Sequence, residues 1–73
     1  MIIREIAKNK RETFRVSIEE YRGSRFVDCR AYYQDAEGTL RPTKKGIALN
    51  MEILGEAIQA LQEAANALKN GKP

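Results

Sequence analysis

The first two thirds of the chain alternate between apolar and polar residues, which is the period of β-strands with one buried face. From Thr13, every second residue is apolar, and these positions are Phe14, Val16 and Ile18. The run Arg25–Tyr33 alternates in the same way: one face carries the small apolar residues Val27, Cys29 and Ala31, and the other mixes aromatic and charged residues, namely Phe26, Asp28, Arg30 and Tyr32. Gly23 and the polar run Gln34–Gly38 predict the hairpin turns that follow these strands.

Pro42 interrupts the next run of strand-forming residues. Because proline cannot donate a hydrogen bond to a neighbouring strand, it predicts an edge position or a bulge in a third strand at about Thr39–Lys44. After Gly46, the short apolar run Ile47–Leu49 predicts a fourth strand. Residues 1–11 show no sustained period, and we expect a basic N-terminal arm or an irregular start of the sheet, with a solvated tail as the simpler interpretation.

Residues 50–70 predict one α-helix. Asn50 suits the N-cap, good helix formers dominate Met51–Lys69, and Gly71 is a typical stop. Its apolar residues recur with heptad spacing, and additional alanines widen the stripe beyond the needs of one contact. We therefore expect the helix to contact both its own sheet and a second protomer, although packing on its own sheet alone is an alternative. The predicted dimer residues are Leu54, Ile58, Leu61, Ala65 and Leu68.

These patterns predict a single α+β domain over residues 1–73, with a four-stranded antiparallel sheet at 12–49 and a C-terminal helix through which two protomers pair. A chain of 73 residues buries only about 60% of its unfolded surface, so its own core supplies little net stability. A single cysteine, Cys29, cannot close an internal disulfide, and no cluster of histidine or cysteine indicates a metal site. Self-association is the remaining means of stabilisation.

The charge is mildly basic, with a net charge of +3. Residues 1–49 hold eleven Lys and Arg against seven Asp and Glu, whereas residues 50–73 hold two against three. The positive surplus therefore belongs to the predicted sheet. No apolar run approaches the roughly 18 residues needed to span a membrane, so we expect no membrane contact and a cytoplasmic location, associated with the nucleoid if the host is bacterial.

Catalytic chemistry is poorly represented. There is no histidine and no serine in a nucleophile-elbow motif. Asp28 and Arg30 lie two residues apart on one strand face, where a structural ion pair is the simpler interpretation, and Cys29 fits an inert buried thiol. We expect no enzyme, with no catalytic residues, no cofactor, no metal and no small-molecule substrate.

Basic and aromatic residues instead alternate over the predicted sheet and hairpins, and we expect the rings of Tyr21 and Tyr33 to share one exposed surface with the cations. Single-stranded nucleic acid needs both types, because cations follow the phosphates and flat rings stack on unpaired bases. The single helix is acidic on its polar face and is poorly suited to reading a duplex groove. The candidate nucleic-acid-binding residues are Tyr21, Arg22, Arg25, Arg30, Tyr32, Tyr33, Arg41, Lys44 and Lys45.

Four separated motifs carry a resemblance to a known family. They are Tyr21-Arg22-Gly23, Val27-Asp28-Cys29-Arg30, the run Tyr32–Gly38, and the run Arg41–Asn50. In order and spacing, they resemble the C-terminal domain of the transcriptional coactivator positive cofactor four. The similarity covers roughly residues 12–50, and the helix agrees by type and position.

This resemblance implies four strands followed by a helix, a homodimer organised around the helices, and sequence-tolerant binding of single-stranded DNA. It implies that Tyr21 stacks on a base and that Tyr33 stands where eukaryotic members carry tryptophan. The basic positions that it assigns to the nucleic-acid backbone are Arg22, Arg30, Arg41, Lys44 and Lys45. Ser24 departs from the usual lysine, and the serine-rich regulatory region is missing, so the chain resembles the stand-alone bacterial or phage form.

Three functional hypotheses follow. The first is a homodimeric single-stranded DNA-binding protein acting in transcription, replication or repair by phosphate capture and base stacking. The second is a protein-interaction module that docks on the transcription or repair machinery, with a merely solvated basic sheet. The third is a protein that binds mainly RNA, because stacking and phosphate contacts carry little information about the 2′-hydroxyl.

Overall fold

A computed structural model describes residues 1–71 and shows one antiparallel sheet followed by one helix. The strands are β1 (Ile2–Ala7), β2 (Glu12–Tyr21), β3 (Ser24–Gln34) and β4 (Leu40–Asn50), and the helix is α1 (Met51–Lys69). The sheet order is β1-β2-β3-β4, with every neighbouring pair antiparallel. The α+β class is confirmed, and residues 72 and 73 of the predicted domain lie outside the described range.

Of the two alternatives for the N-terminus, the irregular start of the sheet fits residues 2–7, which form the edge strand β1, and the basic arm is wrong for them. This strand pairs with β2 from Ala7 opposite Thr13 to Ile2 opposite Ser17. The register shifts between Ile2 and Arg4, and such a bulge removes the period of two that identifies a strand in a sequence. The first predicted strand is therefore the second in the structure.

The third and fourth predicted strands are one continuous strand, β4. Its register shifts where Arg30 and Tyr32 of β3 face Gly46 and Pro42. Two residue steps along β3 thus correspond to four along β4. The hydroxyl of Thr43 donates to the carbonyl of Ala31 and accepts the amide of Lys45, at 2.8 and 3.1 Å. The Thr43 side chain thereby provides hydrogen-bond partners for two backbone groups at the bulge. The edge position and bulge predicted from Pro42 are confirmed.

The two faces of the sheet differ in chemistry, because cross-strand partners share a face and successive residues alternate. We name them the helix face and the open face. By register, the helix face carries Ile6, Phe14, Val16, Ile18, Val27, Cys29, Ala31, Ile47 and Leu49. The open face carries Glu5, Thr13, Arg15, Ser17, Asp28, Arg30, Tyr32, Gly46 and Ala48. The faces predicted for β2 and β3 are confirmed.

Helix α1 begins and ends as the sequence predicts. The side-chain oxygen of Asn50 accepts the backbone amides of Glu52 and Ile53 at 3.0 and 3.2 Å, which is the N-cap arrangement. Lys69 lies in the last turn, and Gly71 has a φ of 69°. The helix lies over the helix face at one end of the sheet, where Leu54 lines a groove with residues of β2, β3 and β4.

On the open face, the side chain of Arg30 lies directly over Gly46. A methyl group at position 46 would lie 2.6 Å from the guanidinium carbon and 2.9 Å from Cγ of Arg30. The guanidinium donates to both carboxylate oxygens of Asp28 at 3.0 Å and to the carbonyl of Thr43 at 2.9 Å. The ion-pair interpretation of Asp28 and Arg30 is confirmed, and Gly46 is required for the close approach.

Replacing Gly46 with alanine is expected to lower the free energy of unfolding by about 1–3 kcal/mol, because Arg30 must leave Asp28 and Thr43 to make room. Urea unfolding at one fixed protein concentration measures this loss. In an Arg30→Ala background the same substitution should cost about 1 kcal/mol less, since the clash is gone. An equal cost in both backgrounds would exclude Arg30 as the reason for glycine.

The protomer has almost no core of its own. Within the described residues, the buried apolar side chains are Ala31 and Leu49, the buried polar one is Ser17, and α1 buries none. The polar face predicted for β2 thus includes a buried residue, Ser17, which lies between Ile2 of β1 and Asp28 of β3 in the register of the sheet. The protomer exposes 6288 Å², about 1,700 Å² more than the roughly 4,600 Å² expected of a folded monomer of this size.

The predicted dimer residues divide into two groups. Leu54 is half-buried against the sheet of its own protomer. Ile58, Leu61 and Leu68 are 58%, 67% and 80% exposed, and Ala65 is exposed as well. The outward part of the seam therefore has no partner within the described protomer, whereas Leu54 already packs within its own chain.

Candidate nucleic-acid interface

The β2–β3 hairpin displays Tyr21 and Arg22 at its tip. Arg22 and Gly23 have φ values of 50° and 83°, and positive φ at both central residues is the geometry of a two-residue hairpin turn of type I′. Tyr21 is 64% exposed, and the guanidinium carbon of Arg22 lies 5.2 Å from its ring centroid. The tip thus presents an exposed flat ring with a cation over one of its faces.

A second exposed ring, Tyr33, lies at the far end of β3. It is 44% exposed and lines an open groove of about 580 Å³ with Asn9, Lys10, Arg11 and Glu12. The side-chain oxygen of Asn9 accepts the backbone amides of Arg11 and Glu12 at 2.9 and 2.8 Å. This Asx turn fixes the β1–β2 hairpin, so that Lys10 and Arg11 border the ring.

Lys10 and Arg11 are candidate binding residues that the sequence interpretation missed. They lie in the segment for which the sequence predicts only an arm or an irregular start of the sheet, because the bulge in β1 conceals the strand before them. The available signal was Asn9, since asparagine favours turns and the polar run 8–12 precedes a clear strand.

The two rings do not share one surface of the protomer, contrary to expectation. Tyr21 pairs with Ser24 and Tyr33 pairs with Glu12, with an unbroken register between them. Alternation then places the rings on opposite faces, and the nine residue steps from Ser24 to Tyr33 separate them by about 30 Å. Both rings are nevertheless exposed, so each is accessible at its own end of the sheet.

The ring of Tyr32 is less available for stacking on a base than the rings of the other two tyrosines. The guanidinium carbon of Arg15 lies 4.0 Å from its ring centroid, and Arg15 is itself held by Glu5 at 2.7 Å. These ties raise the pKa of Arg15 against the opposing effect of its partial burial. Tyr32 thus belongs to a cross-strand cluster on the open face.

The predicted cations also differ in how strongly they are bound by other groups of the same protomer. Arg30 uses all three of its nitrogen atoms within the protomer, and the bond to Asp28 raises its pKa. Arg41 pairs with Asp35 at 2.9 Å, and this bond, with the backbone amide of Thr39, lowers the pKa of that carboxyl. Their roles in binding remain predictions, to be weighed against these structural contacts.

Three predicted cations are free for an external anion. Arg22, Arg25 and Lys44 are exposed, and no carboxylate in residues 1–71 lies within ion-pair distance of them. Arg22 and Arg25 flank the β2–β3 turn, and Lys44 lies in the bulge of β4. Free positive charge therefore occurs at both ends of the sheet, as do the exposed rings.

Cys29 is a half-buried thiol on the helix face. Burial, and to a smaller extent the charge of Asp28, raises its pKa. A raised pKa keeps the thiol protonated at neutral pH, when it is a poor nucleophile.

Over residues 1–71, no helix is long and apolar enough to cross a membrane.

The family model of the Transcriptional Coactivator p15 (PC4) matches residues 8–60. The chain belongs to the PC4 family. Among curated relatives, the RNA polymerase II transcriptional coactivator SUB1 of Saccharomyces cerevisiae is 32% identical over 94% of this chain. The RNA polymerase II transcriptional coactivator of Drosophila melanogaster is 36% identical over 75% of it. The matches span 24% and 49% of those two proteins, respectively.

Solved PC4 structures share the fold. A PC4 homologue from Burkholderia pseudomallei superposes with a TM-score of 0.83 at 35% identity, covering 89% of this chain and 96% of that one. The bacteriophage T5 homologue of the eukaryotic coactivator PC4, described as implicated in recombination-dependent DNA replication, has a TM-score of 0.66 at 20% identity, over 96% and 84%. The second likeness shows the fold alone, and the first joins fold and sequence.

Proposed function

We propose that this PC4-family chain is a homodimer that binds single-stranded DNA without sequence preference, and that it does no catalysis. The observation that carries the proposal is the pairing of an exposed ring with free cations at the tip of the β2–β3 hairpin. Guanidinium groups attract phosphates, and a phenol ring stacks on any unpaired base. The process that we propose is transcription, replication or repair; two relatives are described as a transcriptional coactivator and as implicated in recombination-dependent DNA replication.

The exposed apolar seam of α1 supports the dimer. Burying the surplus of about 1,700 Å² on each of two protomers would give an interface of about 3,400 Å², within the range of obligate dimers. A twofold axis requires the same patch on both chains, and one heptad seam provides such a patch. The seam residues proposed for the contact are Ile58, Leu61, Ala65 and Leu68, with Leu54 joining the helix to its own sheet.

A dimer also changes the relation between the rings. Within one protomer, Tyr21 and Tyr33 lie on opposite faces and about 30 Å apart, so one strand contacts them less easily than if they were adjacent. A second protomer doubles each ring and each group of cations. The proposed path of the single strand therefore crosses both protomers.

Fluorescence anisotropy tests the binding, with a labelled oligothymidine of about 20 nucleotides compared with its duplex. We expect binding to the duplex to be at least about fivefold weaker, because even one stacked base contributes about 1–3 kcal/mol. The logarithm of affinity should fall with the logarithm of salt concentration, with a slope of about −0.7 for each phosphate neutralised.

Two alternatives are outcomes of the same experiment. Equal affinity for single strand and duplex, or a flat salt response, would contradict the proposal and favour a protein-interaction module that docks on the transcription or repair machinery. Tighter binding of oligouridine than of oligothymidine would instead indicate RNA as the main ligand, since the 2′-hydroxyl distinguishes the two.

A further inference from the structure

Three donors converge on one carboxylate beside Tyr33. The side-chain amide of Asn9 donates to Oε1 of Glu12 at 3.3 Å, and the ammonium groups of Lys8 and Lys45 lie 3.8 and 3.4 Å from its two oxygens. The Glu12 side chain is only 18% exposed, whereas those of Lys8 and Lys45 are 51% and 70% exposed. The carboxylate thus lies beneath cations that reach solvent.

This cluster joins two separate elements at the groove. Lys8 belongs to the β1–β2 hairpin and Lys45 to the bulge of β4, and Glu12 on β2 faces Tyr33 directly across the β2–β3 pair. Glu12 is the single acidic residue of the five that line the groove. The hydrogen bond from Asn9, with the charges of Lys45 and Lys8, lowers its pKa, so it is negatively charged at neutral pH.

We propose that Glu12 is an internal counter-anion that occupies the place of a nucleic-acid phosphate beside Tyr33 and thereby limits the affinity for single strands. A phosphodiester next to a base stacked on Tyr33 would take over Lys8 and Lys45, and Glu12 would lose both partners. This inference rests on the proposed function. It adds one residue that opposes binding to the candidate residues that favour it.

The direction follows from electrostatics. Exposed ion pairs are weak, so a phosphate can replace Glu12 as the partner of the two lysines. Glu12 therefore does not prevent binding but lowers the affinity for the nucleic acid. A carboxylate left in the groove would also repel the incoming phosphate. Both effects disappear when the carboxylate is neutralised without a change of shape.

The test compares Glu12→Gln with the wild type by anisotropy with oligothymidine. Glutamine keeps an oxygen for the Asn9 amide and removes the charge. We expect affinity to rise about three- to tenfold, from the release of two exposed ion pairs, and the salt slope to steepen by about 0.7 for each additional phosphate engaged. Glu63→Gln makes the same charge change on the exposed surface of α1 and controls for net charge.

The gain should also depend on the ring. In a Tyr33→Ala background, Glu12→Gln should raise affinity less, because the stacked base that holds the phosphate in place is lost. Glu12→Thr, which suits a strand, gives the same comparison if the glutamine variant unfolds at a lower temperature. If the wild type binds but Glu12→Gln and Glu63→Gln change affinity equally, this inference is wrong and the proposed function stands. If the wild type does not bind single strands, the proposed function itself fails.

Discussion

Replacing Leu61 with glutamate is expected to abolish the dimer and unfold the chain at temperatures where the wild type is folded. Leu61 is 67% exposed in the protomer, so a monomer would tolerate the charge. In the proposed dimer it is buried, and an unpaired carboxylate there costs several kcal/mol. Because the protomer buries only Ala31 and Leu49 among its described apolar residues, loss of the partner should remove most of the stability.

Sedimentation velocity and thermal unfolding, each at two protein concentrations, measure this effect. The wild type should sediment as a dimer and melt at a temperature that rises with concentration, as mass action requires. Gln59→Glu places the same charge on the opposite, exposed side of α1 and should change neither property. A Leu61→Glu protein that remains dimeric and folded would refute the helix seam as the interface.

Removing both exposed rings should nearly abolish binding of single strands. Each of Tyr21→Ala and Tyr33→Ala should weaken affinity for oligothymidine about 5- to 150-fold, the equivalent of about 1–3 kcal/mol for a stacked base. Because the two rings are about 30 Å apart, their effects should add in the double variant. Titration by anisotropy, with the dimer verified by sedimentation, gives the measurement.

Phenylalanine provides the matched control at both positions. Tyr21→Phe and Tyr33→Phe keep the ring and remove the hydroxyl. If the tyrosines support binding by stacking on bases, the affinity should change less than about threefold. If both alanine variants retain wild-type affinity, the rings do not stack on bases, and binding would depend on phosphate contacts alone. A loss in the phenylalanine variants equal to that in the alanine variants would assign the effect to the hydroxyl.

Local signals explain what the sequence could predict of the fold. The N-cap at Asn50, the glycine turn at Gly23 and the alternation along β2 and β3 each depend on residues close in sequence, and the structure confirms all three. The edge position of Pro42 is of the same kind, because a missing amide excludes an inner strand.

Bulges explain what could not be predicted. One shifts the register of β1 after Ile2, and another lengthens β4 between Pro42 and Gly46. Each breaks the alternation by which a strand is recognised, so the sequence leaves an arm and an irregular strand open for β1 and predicts two strands in place of β4. Residues 1–71 still form four strands, but the first one predicted is β2.

The sequence predicts the residue types of the candidate site well, but it predicts less well which of their side chains are already held by contacts within the protomer. Arginines such as Arg22 and Arg30 look alike in sequence, yet one is free at a turn and the other is held by Asp28 over Gly46. The difference depends on which residues face each other across strands. The placement of Tyr21 and Tyr33 on opposite faces likewise follows from register, which composition does not contain.

The central claim is that two chains together hold one kind of ligand, a single strand. Sedimentation velocity of the protein with fluorescent oligothymidine, followed at the dye, tests both parts at once. We expect the labelled single strand to move with a complex containing two protein chains, and the labelled duplex to sediment as free DNA at the same concentrations. A complex containing one protein chain, or equal co-sedimentation of the duplex, would contradict the account.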